Sequence, residues 1–120
     1  MTVNDERRRV RARLLAKSPK DKNGHALCWR CKARRATDMH EIVNRAVTVG
    51  NEQARALSFE EGLCLMLCRP CHDEAPTRSV ERELWLILYE RYGEDVVRTA
   101  YAKVQDAMRG TLAFDLPEPN

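Results

Sequence analysis

Nothing in this 120-residue chain approaches the roughly 18 consecutive apolar residues of a membrane-spanning helix. Its first residues, MTVNDERRRV, also lack the apolar core of a secretory signal. These absences argue against an integral membrane protein and a secreted one, and they point to the interior of a cell. Aromatic residues make up only 6% of the chain and none alternates with the basic residues, so a platform for stacking single-stranded bases is not supported. No internal repeat is present. Histidine is scarce as well: His25, His40 and His72 are the only three, so the place of each carries information.

What is there fits a soluble globular domain. Hydrophobic residues make up 43% and charged residues 32% of a length that suits one domain with a modest core, for which a metal staple would help. The net charge of +3 is unevenly spread. Residues 1–22 carry eight Arg or Lys against three acids, residues 23–75 seven against seven, and residues 76–120 six against eight. A basic head of this kind suits a polyanion partner, and it also suits a plain solvated helix face.

The chain reads as a series of short elements. Asn4 or Asp5 can cap a first helix that ends near Lys17, before Pro19, with Val10, Leu14 and Leu15 as a thin apolar stripe. Such a helix buries little. Turn-forming residues follow, then strand-like stretches at 36–43 and 63–67, with a short helix near 52–57 between them. Ser58 and Glu61 match a capping box for a single turn, and Pro70 suits the start of a short helix that Pro76 interrupts. Val80, Leu84, Ile87 and Leu88, then Val97, Ala100, Tyr101, Val104 and Met108, recur at helical spacing on either side of Gly93. Trp85, Tyr89 and Tyr92 read as core. FDLPEPN reads as a frayed tail.

Five cysteines inside a cell argue for metal rather than disulfides. Four of them form two pairs, Cys28-Trp-Arg-Cys31 and Cys68-Arg-Pro-Cys71, with 36 residues between. A two-residue gap turns both sulfurs of a tight loop toward one ion, and two such loops complete the tetrahedral set that a structural Zn²⁺ accepts. A redox CxxC site explains one pair and not both. Cys64, left over, reads as a small buried residue, and His25 as exposed.

His40 follows the first pair and His72 follows the second directly. If the two loops converge on one zinc, the strand and helix that leave them lie side by side, and both imidazoles approach a second ion. Cys28-x-x-Cys31, then Asp38-Met-His40-Glu41-Ile-Val, then Leu-Cys68-x-x-Cys71-His72 resembles the HNH endonuclease pattern over about residues 26–76. The resemblance implies a ββα-metal, treble-clef-like core with His40 and His72 on a catalytic divalent cation such as Mg²⁺, Mn²⁺, Ni²⁺ or Zn²⁺. It implies Glu41 as the base that activates water, where the family usually has histidine. It extends to small bacteriophage HNH proteins, in which His-Glu is followed by an arginine that Arg45 resembles, suited to clamp the scissile phosphate. A phage-encoded member would act in the cytoplasm of its bacterial host. Leu63 stands where the family carries a bracing asparagine, with Asn44 and Asn51 as possible substitutes.

The residues themselves leave alternatives. Glu41 could be a third ligand, and in a regular strand Asp38 shares a face with His40 while Glu41 faces away, so Asp38 is a rival ligand. Arg30, Lys32, Arg34, Arg35 and Arg69 ring the cysteine loops and contact phosphate or only solvent. The expectation is therefore an α+β fold: a basic N-terminal helix and linker (1–22), a zinc-stapled HNH-like core (23–76), a C-terminal helical pair (77–110) and a tail (111–120). The expected activity is metal-dependent hydrolysis of double-stranded DNA. A non-catalytic zinc module is the alternative, binding nucleic acid, or a protein through the C-terminal helices.

Overall fold

The computed structural model describes residues 2–112 and 115–119. Helix α1 (Val3–Lys17) is capped by Thr2, earlier than the expected Asn4 or Asp5. The Thr2 hydroxyl accepts from the Asp5 N–H while the Asp5 carboxylate accepts from the Thr2 N–H, so two otherwise orphaned donors are met at once. Val10 and Leu14 are buried against strand β2 (Cys64–Leu67), so this helix is anchored by the fold itself. Its end is fastened too: buried Ser18 donates to the Leu14 carbonyl at 2.7 Å and accepts from Trp29 Nε1 at 2.7 Å.

Strand β1 (Asp38–Glu41) runs antiparallel to β2, with Asp38 opposite Leu67 and Glu41 opposite Cys64. The strands are shorter than the sequence suggested because the chain turns into loops on both sides, although hydrogen bonds from Thr37 to Leu67 and from Ile42 to Leu63 prolong the pairing. Every residue of β2 is fully buried, which explains its uninterrupted apolar sequence. Between the strands lie α2 (Arg45–Thr48), capped by Asn44, α3 (Glu52–Leu57), capped by Asn51, and a single 3₁₀ turn (Glu61–Leu63). Ser58 does not cap that turn. It ends α3, donating to the Arg55 carbonyl.

Helix α4 (Arg69–Glu74) leaves β2 directly, with Cys68 as its N-cap residue and Pro70 in its first turn, where a missing N–H costs nothing. Helices α5 (Arg78–Tyr92) and α6 (Glu94–Ala107) meet at Gly93, whose φ of 93° lies in the left-handed region that favours glycine. Trp85 of α5 packs edge-on against Tyr101 of α6, with ring centroids 5.5 Å apart.

The tail is not frayed. Leu112 and Leu116 are buried, and the Pro117 carbonyl accepts from Tyr89 Oη at 2.7 Å and from Arg98 at 3.2 Å. Phe114 and Asn120 of that segment lie outside the described residues. Among the described residues, no helix is long and apolar enough to cross a membrane, and the large hydrophobic side chains that stay exposed are Val3, Val49 and Val96.

Candidate functional site

Cys28, Cys31, Cys68 and Cys71 converge, with all four sulfurs within 4.8 Å of one another. The backbone explains why. The Lys32 N–H returns to the Cys28 carbonyl, with Lys32 at a φ of 55°, and this closes the first loop. The Trp29 N–H donates to the Met66 carbonyl, which fastens the loop to the strand that leads into Cys68. A tetrahedral ion with metal–sulfur bonds of about 2.3 Å has sulfurs about 3.8 Å apart, and Cys31 and Cys68 are separated by 3.8 Å.

The surroundings suit thiolates on a cation. Burial is the largest influence on the Cys31, Cys68 and Cys71 thiols. It pushes Cys71 up to about 12 and raises Cys68, whereas at Cys31 it is outweighed by the N–H groups of Ala33 and Arg34, which pull that thiol down to about 6. A dicationic metal offsets the cost of holding the buried pair deprotonated. The Arg30 N–H points at Cys28 Sγ and its guanidinium at Cys71 Sγ. The same guanidinium pairs with Glu74 of α4 and Glu83 of α5, tying both helices to the first loop. Four cysteines in this arrangement could hold a metal such as zinc.

His40 and His72 form a second centre. Their rings meet edge to face with centroids 5.2 Å apart. Both line a cavity of about 370 Å³ with Asn44, Arg69, Asp73 and Glu81 around it. Burial, and then the neighbouring charge of His72, push His40 down to about 4, so that imidazole is neutral at ordinary pH. His72 Nδ1 lies 3.1 Å from Asp38 Oδ2, and Arg69 Nε lies 3.3 Å from the same oxygen. No family model, curated protein or solved structure matches this chain.

The other candidates stand apart from the cavity. Glu41 is on the opposite face of β1, with its oxygens 3.3 Å from Arg7 Nε and 3.0 Å from Arg55 Nη1, and it does not line the cavity. Strand alternation is the reason: His40 and Glu41 are adjacent and so point to opposite sides. Exposed Arg45 opens α2 and is also absent from the lining. Leu63 is fully buried core. Asn51 donates to the Ala107 carbonyl, which joins α3 to α6, while Asn44 does reach the cavity. Cys64 is buried and donates to the Ser58 carbonyl, and His25 sits at the surface beside Asp21. Glu81 was not singled out from the sequence because it belongs to α5, and nothing in its neighbours reveals that the start of α5 reaches this cavity.

Proposed function

We propose that this chain is an HNH-type endonuclease that hydrolyses DNA phosphodiesters with a divalent cation at His40 and His72, next to a structural zinc on the four cysteines. One observation carries the reading: two imidazoles, one from a strand and one from the helix that starts within the second cysteine pair, meet edge to face and line one open cavity. A sheet of two antiparallel strands followed by a helix is also the arrangement that the resemblance implies. A cation bound there would supply Lewis-acid stabilisation of the charge that develops on the phosphate and on the leaving 3′ oxygen.

The chain's own groups perform the rest. Neutral His40 offers a nitrogen lone pair, and Arg69, with its guanidinium at the mouth and about two-thirds exposed, meets the phosphate in place of Arg45. Asp73 and Glu81 are the carboxylates that line the cavity, and Glu81 takes the proton of the attacking water, since no ion pair engages it among the described residues. Duplex DNA suits the basic surface better than a protein partner suits α5 and α6, where Val96 is the one large hydrophobic side chain left exposed among the described residues.

The second reading, a zinc module that binds without cleaving, is favoured by Leu63 in the core and by Glu41 held between two arginines. Supercoiled plasmid offered with Mg²⁺, Mn²⁺, Ni²⁺ and Zn²⁺ in turn separates them. Nicking that His72→Ala abolishes supports the endonuclease. No nicking with any of the four ions hands the function to the binding module.

A further inference from the structure

We infer that Asp38 is a positioning residue whose carboxylate holds the His72 ring with Nδ1 toward β1 and Nε2 toward the cavity. Its purpose rests on the endonuclease reading; its geometry does not. The sheet register brings the two together. Asp38 pairs with Leu67, Cys68 then caps α4, and the first turn of that helix carries His72 back over β1. Asp38 and His40 are two residues apart on the strand and share its face.

Asp38 Oδ2 is shut off from solvent and lies 3.1 Å from His72 Nδ1 and 3.3 Å from Arg69 Nε, at ion-pair distance but with hydrogen-bond geometry to neither, so this buried oxygen has no hydrogen-bond partner among the described residues. At that separation a carboxylate oxygen repels a bare Nδ1 and attracts an N–H, so the ring proton belongs on Nδ1. The neutral ring then leaves Nε2 without a proton, which is the form that accepts a cation. Two observations speak against Asp38 as a ligand in its own right. Its buried oxygen already faces two nitrogens. Among the described residues, the four cysteines are the one group of three or more candidate ligands that closes around a point, so Asp38 does not complete a set with the two histidines.

The test reads the ring directly. Nitrogen-15 NMR of His72 in zinc-loaded protein without a second cation, read at the high-pH plateau of the ring signals, should show the proton on Nδ1. Asp38→Asn can turn an amide N–H toward Nδ1, so the proton should move to Nε2, and Mn²⁺ affinity should fall about 10- to 100-fold with zinc content unchanged. A wild-type ring protonated on Nε2 would overturn the inference, as would an unchanged tautomer and Mn²⁺ affinity in the variant. The tautomer is read with no second cation and no DNA, so a chain that never cleaves sinks the endonuclease reading and leaves this result standing.

Discussion

Cys71 and His72 are consecutive residues of α4, yet they belong to two side-chain groups built on opposite plans. The cysteine centre is closed: four sulfurs from two loops lie within 4.8 Å of one another and could fill every position of a tetrahedral ion. The histidine centre is open: two imidazoles face a cavity, and its remaining walls are an asparagine, an arginine and carboxylates that reach no common point with them. Successive helix positions differ by about 100°, which is enough for one short helix to feed both. Closed sites hold a fold together, and sites with free positions have room for water and substrate.

The largest effect should come from opening the closed centre. Cys68→Ala removes one of four ligands from a site that contributes roughly 10 to 16 kcal/mol when zinc is bound, in a domain whose net stability is of order 5 to 15 kcal/mol. Loss of zinc together with loss of cooperative melting is expected. Full zinc content with unchanged melting would remove the closed site from the account.

The open centre should respond in function and not in fold. Glu81→Gln should lower turnover by about 10² to 10⁴, the range for a positioned base, without changing Mn²⁺ affinity. Glu41→Gln should do the reverse. It removes the partner of Arg7 and Arg55 at a largely buried position, so urea denaturation should register a loss of about 1 to 3 kcal/mol, with turnover within about threefold of wild type, since the substitution touches no group in the cavity. Exchange of these two outcomes would return the catalytic role to Glu41.

A smaller effect follows from the depressed His40. Its pKa of about 4 when folded lies below the ordinary 6.5, so the unfolded chain binds the proton more readily and stability must fall as pH drops from 6.5 toward 4. Between about pH 7 and pH 5 this amounts to about 2 kcal/mol in the absence of a second cation. His40→Gln should therefore lose less stability than wild type over that interval, and parallel curves would refute the buried neutral ring. The smallest effect concerns the basic helix. Arg7, Arg13 and Lys17 are already paired with Glu41 or Glu61, while Arg8 and Arg9 remain exposed. Replacing Arg8 and Arg9 by alanine should flatten the slope of log K against log salt for duplex DNA by about 1.8. An unaltered slope would make both arginines plain surface.

The closed centre was legible because metal ligation imposes a local rule: two cysteines three apart, twice. The histidine pair followed by inference, since each histidine trails one of the loops. Glu41 shows where such reasoning fails. Period-two alternation puts it across the strand from His40, and the family pattern runs against that geometry. The tail and the reach of Glu81 depend on partners far along the chain, such as Tyr89 and Arg98 for Pro117, which no local pattern announces. The cap at Thr2 is different, since Thr2-x-x-Asp5 is a local capping pattern that competes with Asn4 and Asp5 for the same helix start.

The central claim, one closed and one open centre on a single short helix, is tested most directly by counting ions. Zinc-loaded wild type and His72→Ala, washed with a mild chelator and then titrated with Mn²⁺, would be analysed for both metals. The account predicts one retained zinc per chain in both proteins, and one bound Mn²⁺ in the wild type alone. Loss of zinc from His72→Ala, or equal Mn²⁺ binding by the two proteins, would contradict it.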